Sequence, residues 1–207
     1  MASLESLSAI DEAVDAAFEP LRGRPEVDRV AAAISNLADY GFVWVALAGL
    51  KGRRRGAGRR RAVVALAAAG FSSMAVNRVV KQAVERQRPD DHLDAAVRTP
   101  TSSSFPSGHT LAAFCTAFVL ADSTPGTVAT VSFATAVAAS RVHLRAHHAT
   151  DVLGGAAIGS VLGLGLRPIV NLITPPRTRQ SRRANGGRGR ARRTRGMASP
   201  GVVLHKL

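Results

Sequence analysis

Residues 140–166 read SRVHLRAHHATDVLGGAAIGSVLGLGL. Two chemistries meet in this stretch. Its first ten residues hold two arginines and three histidines, whereas positions 152–166 carry no charged side chain. Asp151 stands at the junction. A carboxylate at the edge of a long apolar helix is costly in lipid and usually has a task. The stretch therefore reads as a membrane helix with a polar head at the water boundary. Gly155, Gly159 and Gly163 recur every four residues, a spacing that puts them on one helix face. Small residues there let neighbouring helices approach closely, so the ladder reads as packing and not as a ligand site.

Working outward, the same alternation repeats. The 207 residues make one domain plus a tail. Lys and Arg number 28 against 14 Asp and Glu, a net charge of +14. Such a balance suits nucleic acid or an anionic membrane surface. Where the charge sits decides between them: 7 basic residues fall in 51–61 and 11 in 167–207, with apolar stretches between. That pattern is a membrane protein's, and no specific nucleic-acid partner is expected. Five candidate spans follow, at 30–50, 62–80, 105–121, 126–143 and 152–170. The expected fold is all-α: an integral-membrane bundle of five spans, an N-terminal amphipathic helix and a disordered basic C-terminal tail. The expected segments are 1–29, 30–172 and 173–207.

Residues 1–19 carry Leu4, Leu7, Ile10, Val14 and Phe18 at helical spacing, with acids on the other face. This helix is expected to lie at the membrane interface or to cap the bundle. It lacks the basic start and apolar run of a signal peptide. The single cysteine, Cys115, lies in an apolar stretch and reads as a small buried side chain. From about residue 177 the chain is rich in Arg, Gly and Ser and has little apolar surface to bury. The tail reads as a topology signal and lipid contact.

Basic loops stay in the cytoplasm. With 51–61 inside, threading five spans puts 81–106 outside, 145–151 outside and the Arg-rich tail inside. The expected location is the cell membrane, with the site on the extracytoplasmic face.

Three groups of residues carry candidate chemistry there. Lys81 and Arg88 are seven apart, two helical turns, and two fixed cations suit a phosphate. Arg78 and Arg86 read instead as side chains reaching from a helix end to water. Ser107 is a good N-cap, Gly108 lets a ligand approach the backbone, and His109 sits at the rim where it can pass a proton. Ser140-Arg141, His147 and Asp151 form the third group. His147 and Asp151, at i and i+4, are expected on one helix face, the carboxylate orienting the imidazole. His143, His147 and His148 also raise a metal site, but three nearby cations favour an anion over a metal.

In sequence these groups read Lys81-x6-Arg88-Pro89, then Pro106-Ser107-Gly108-His109, then Ser140-Arg141-x5-His147-x3-Asp151. The ordered trio resembles the type 2 phosphatidic acid phosphatase superfamily, which includes bacterial polyprenyl-diphosphate phosphatases and vanadium haloperoxidases. All eleven specified residues match in order and spacing. The resemblance implies hydrolysis of a lipid phosphate or diphosphate without metal or cofactor. In that scheme His147 is the nucleophile, Asp151 orients it, and His109 is acid and then base. Lys81, Arg88, Ser107, Gly108 and Arg141 hold the phosphoryl oxygens. It implies a membrane helical fold and a lipid phosphate as partner. A polyprenyl-type carrier lipid is the favoured substrate. Phosphatidic acid, phosphatidylglycerol phosphate and a polyprenyl-phosphoryl-phosphoribose are alternatives. Outside enzymes, the alternative is an inactive membrane scaffold with a basic tail.

Overall fold

A computed structural model describes residues 2–39, 57–89, 102–121 and 123–175. Its elements run α1 (Ala2–Phe18), a 3-10 turn (Glu19–Leu21), α2 (Pro25–Asp39), α3 (Ala57–Ala83), α4 (Gly108–Val119), α5 (Thr124–His143) and α6 (Ala149–Ile173). No strand occurs among the described residues.

Local sequence explains the boundaries. Pro25 opens α2, with Glu26 and Asp28 in the first turn where the helix dipole favours acids. Ser123 caps α5, its Oγ accepting from the Gly126 amide at 3.3 Å. His148 caps α6 in a capping box whose other half is Asp151, three residues on.

Among the described residues two helices are long and apolar enough to cross a membrane, Arg59–Ala83 and Ala149–Ile173, and α4 is a shorter apolar helix. Phe71, Met74 and Val79 on the first, and Val161, Leu164 and Leu172 on the second, are exposed. Large apolar side chains facing outward along a helix fit lipid as the solvent. Of the candidate span at 30–50, residues 40–50 lie outside the described residues, as do most of the tail and of the loop at 90–104.

The centre of the bundle is α4, which packs most extensively on α6 and also meets α3 and α5. The glycine ladder explains the α4–α6 contact. A methyl group on Gly155 meets the Ser107 carbonyl oxygen at 2.7 Å, and one on Gly163 meets the Cys115 carbonyl oxygen at 2.5 Å. One on Gly159 meets the Leu111 carbonyl oxygen still closer. Backbone fills the space a side chain needs, so these positions are packing, and Cys115 beside them is fully buried.

The amphipathic reading of α1 needs correction. Leu7 and Ile10 are exposed, whereas Asp11 is buried. The docked stripe is Asp11, Val14, Asp15 and Phe18. Val14 and Phe18 pack on Ala138, Val142 and Val152, and Asp11 and Asp15 find partners on the bundle. Acids share the buried face because the surface they meet is basic.

Candidate active site

The site lies where α3, α4, α5 and α6 end on one side of the bundle. Lys81 occupies the last turn of α3. Beyond Ala83 the chain leaves the helix, and residues 84–89 carry Arg86 and Arg88. Ser107 and Gly108 start α4, with His109 in its first turn. Arg141 sits in the last turn of α5, and His147 lies in the short connection to α6.

A cavity of about 340 Å³ is lined by Lys81, Arg88, Gly108, His109, Arg141 and His147. Six of the eight expected residues therefore meet in one space. Ala38 of α2, Gly70 and Ser73 of α3 and Ala112 of α4 also line it. The other two expected residues stand behind its wall. Asp151 is fully buried on the far side of His147, and the Ser107 hydroxyl lies 3.0 Å from Thr110 Oγ1.

His147 is 3% exposed. Its Nδ1 lies 3.8 Å from Asp151 Oδ2 and 3.4 Å from Ser104 Oγ, and its Nε2 lies 3.3 Å from Arg88 Nη1. The sequence spacing put His147 and Asp151 on one helix face. The structure instead starts α6 at Ala149, because His148 takes the cap position. His147 reaches Asp151 from the preceding connection, held there by its own amide and that of Ala146 on the Arg141 carbonyl, at 3.3 and 3.1 Å.

Burial lowers the pKa of His147 from 6.5 to about 4, and the charges of Arg88 and Arg141 push the same way against Asp151. The ring is therefore neutral at neutral pH, with a lone pair available. Arg88 also has its pKa lowered by burial, against the pull of Asp151. Its Nη1 donates to the Ala146 carbonyl at 2.7 Å and its Nε to the Ser102 carbonyl at 3.4 Å, and the residue lines the cavity. Lys81 Nζ donates to the Ser103 carbonyl and lies 3.3 Å from Ser102 Oγ. Arg141 is completely buried and donates to Ser35 Oγ of α2. Three cations around one small cavity attract an anion with several acceptor oxygens.

The sequence missed four contributors. Ser104 Oγ donates to Asp151 Oδ2 at 2.5 Å, and the His148 amide donates to the same oxygen at 2.9 Å. Arg86, read as a side chain bound for water, instead pairs with Asp151 Oδ1 at 2.5 Å and with Asp11 of α1. Thr150 Oγ1 accepts from Arg86 at 2.7 Å. Sequence spacing carried a signal for Asp11, which falls three before Val14 and seven before Phe18. Ser104 carried none. The metal alternative fares differently: His143 pairs with Asp28 at 2.7 Å and His148 caps α6, so the three histidines do not converge. Among the described residues no three His, Cys, Asp or Glu side chains form a metal-ligating group.

Comparison with known proteins shows the family and the fold. The family model described as PAP2 superfamily matches residues 61–174. Decaprenylphosphoryl-5-phosphoribose phosphatase of Mycolicibacterium smegmatis is 38% identical over 137 residues, 65% of this chain and 74% of that one. The crystal structure of a transmembrane PAP2-type phosphatidylglycerolphosphate phosphatase from Bacillus subtilis superposes with a TM-score of 0.64 at 28% identity, covering 83% of this chain and 90% of that one. Aquifex aeolicus LpxE shares the fold, with a TM-score of 0.57 at 24% identity over 78% of this chain and 92% of that one.

Proposed function

We propose, from the fact that this chain belongs to the PAP2 superfamily and is a membrane lipid phosphatase, that it removes the terminal phosphate of a polyprenyl-linked lipid through a phosphohistidine. One observation carries the chemistry: a neutral, buried imidazole whose Nε2 faces a cavity walled by Lys81, Arg88 and Arg141.

The proposed steps are those the family resemblance implies, and the geometry supports them. The phosphoryl oxygens sit among Lys81, Arg88 and Arg141, with the Gly108 amide at the start of α4 adding a donor. His147 Nε2 attacks phosphorus, and the bond to the lipid oxygen breaks. As the ring becomes cationic, Asp151 beside Nδ1 stabilises it and fixes its orientation. His109 gives a proton to the departing oxygen, then takes one from the water that splits the phospho-enzyme. Ser107 holds the α4 start in place: its amide donates to the Asp151 carbonyl at 3.0 Å, tying the two motifs together. The three guanidinium and ammonium groups supply the positive charge for the transition state, so the scheme needs no metal.

The substrate reading rests on the relatives. The mycobacterial protein acts, by its name, on decaprenylphosphoryl-5-phosphoribose. A polyprenyl-phosphoryl sugar phosphate, or a related polyprenyl phosphate of envelope synthesis, is the substrate class we favour. Ala38, Gly70, Met74 and Ala112 line the same cavity, a wall against which we place the lipid chain. Phosphatidylglycerol phosphate is the second reading, favoured by the Bacillus subtilis structure.

We further infer five membrane spans, with α1 at the interface and the site on the extracytoplasmic face. The basic segment at 51–61 and the Arg-rich tail then both face the cytoplasm. Phosphate release by the detergent-purified chain tests the function across a panel of lipid phosphates. Vanadate-sensitive, EDTA-resistant release is the expected outcome, fastest on the polyprenyl substrates. No release from any lipid phosphate contradicts the proposal, and release only from phosphatidylglycerol phosphate replaces its substrate.

A further inference from the structure

The catalytic aspartate has a support that reaches back to the first helix. We infer that Asp11 and Arg86 are positioning residues, forming an ion-pair ladder through which α1 holds Asp151, and so His147, in register. This inference rests on the phosphohistidine reading above.

The contacts form an unbroken chain. Asp11 Oδ1 accepts from the Thr150 amide at 2.8 Å and from Thr150 Oγ1 at 2.9 Å. Asp11 Oδ2 accepts from Arg86. The other nitrogen of that guanidinium donates to Asp151 Oδ1 at 2.5 Å and to Thr150 Oγ1 at 2.7 Å. Asp151 Oδ2, which accepts from Ser104 Oγ and the His148 amide, also lies 3.8 Å from His147 Nδ1. Arg86 thus uses its fork to join two carboxylates, geometry that a lysine cannot reproduce.

The helix is fastened at a second point as well. Arg145, on the connection that carries His147, pairs with Asp15 at 3.1 Å and with Glu19 at 2.9 Å. Arg22 pairs with Asp15 and donates to the carbonyls of Val142 and His143, at 3.2 and 3.1 Å. Burial raises the carboxyl pKa of Asp15, but Arg22 and Arg145 outweigh it and hold the group below its ordinary value. Acids on the docked face of an otherwise exposed helix are therefore explained by what they hold: the two ends of the His147 connection.

Charge balance sets the direction of the test. Arg88, Arg141 and Asp151 act directly on His147. Lys81 and His109 share its cavity from α3 and α4. On its other side lie Asp11, Glu12 and Asp15 of α1, Arg86, and its neighbours Arg145 and His148. Arg86 offsets part of the Asp151 charge, and Asp11 offsets part of Arg86. Removing Arg86 leaves Asp151 more negative toward His147 and raises the acid limb of kcat/KM. Removing the charge of Asp11 leaves Arg86 undivided on Asp151 and lowers that limb.

The experiment compares Asp11→Asn, Arg86→Gln and Arg86→Lys with the wild-type full chain in detergent, on the best substrate of the panel. Asp11→Asn keeps the size of the side chain and its acceptor for Thr150, so it tests the ladder with the least disturbance to folding. The expected kcat loss per folded molecule is roughly 10- to 100-fold for Arg86→Gln and smaller for Asp11→Asn, by the scale of outer-shell partners. KM stays nearly constant, the acid limbs move in opposite directions, and Arg86→Lys returns the limb toward its wild-type pH without restoring kcat. Wild-type kcat in Asp11→Asn and Arg86→Gln overturns the inference. So does a kcat loss with no shift of either limb, which marks a merely structural role. Turnover by the wild type in those cases leaves the lipid phosphatase reading standing; a wild type silent on every lipid phosphate sinks that reading instead.

Discussion

The two ends of α6 obey opposite rules. At its N-terminal end, polar groups are buried and each has a specific partner: Asp151 accepts from Ser104, Arg86 and the His148 amide. Farther along, Gly155, Gly159 and Gly163 offer no side chain, and the backbone of α4 fills the space. The first end is held by directional contacts whose loss leaves a buried charge exposed to an apolar surrounding. The second is held by shape, where the addition of one methyl is the damage. Activity and stability are thus expected to separate along a single helix.

The largest expected effect lies at the polar end. His147→Ala removes the proposed nucleophile and is expected to lower kcat by on the order of 10⁴ or more, while the chain still inserts and folds. Phosphate release per folded protein checks this, and near-normal turnover breaks the assignment. Next comes Gly159→Ala at the apolar end. It is expected to destabilise by about 1–3 kcal/mol, read as a lower melting temperature in detergent, with turnover per folded molecule largely kept. An unchanged melting temperature contradicts the close packing of α4 on α6.

The smallest effect sharpens the polar end. His147 has a folded pKa of about 4, below its ordinary 6.5. A base whose folded pKa is depressed contributes stability that is complete above 6.5 and is lost as pH falls from 6.5 toward 4. The same shift keeps the His147 ring neutral across that window. After allowance for titration of the substrate phosphate, the acid limb of kcat/KM is expected nearer pH 4 than 6.5. A limb at 6.5 contradicts the buried, neutral ring.

Much of this was legible because the chemistry is concentrated at helix ends. Lys81, Arg88, Gly108, His109, Arg141 and His147 were each identifiable from type and spacing, and they share one cavity. The glycine ladder was legible too, since only packing explains a four-residue period of missing side chains. What spacing could not supply was the direction of side chains in irregular segments. His147 and Asp151 meet across a helix cap and not along a helix face, because capping by His148 competes with helix extension. Arg86 is two residues from Arg88, yet their roles diverge: in a non-helical segment no period fixes where either points. Asp11 escaped notice because amphipathicity assigns acids to water, whereas here the docking surface is itself basic.

The most direct test of the account is to trap the covalent intermediate. The detergent-purified chain is mixed with a lipid substrate labelled in its terminal phosphate and quenched in alkali, where phosphohistidine survives. The account expects label on His147 in the wild type, more of it in His109→Ala because splitting of the phospho-enzyme slows, and none in His147→Ala. Label that persists in His147→Ala, or turnover with no labelled protein in either the wild type or His109→Ala, contradicts it.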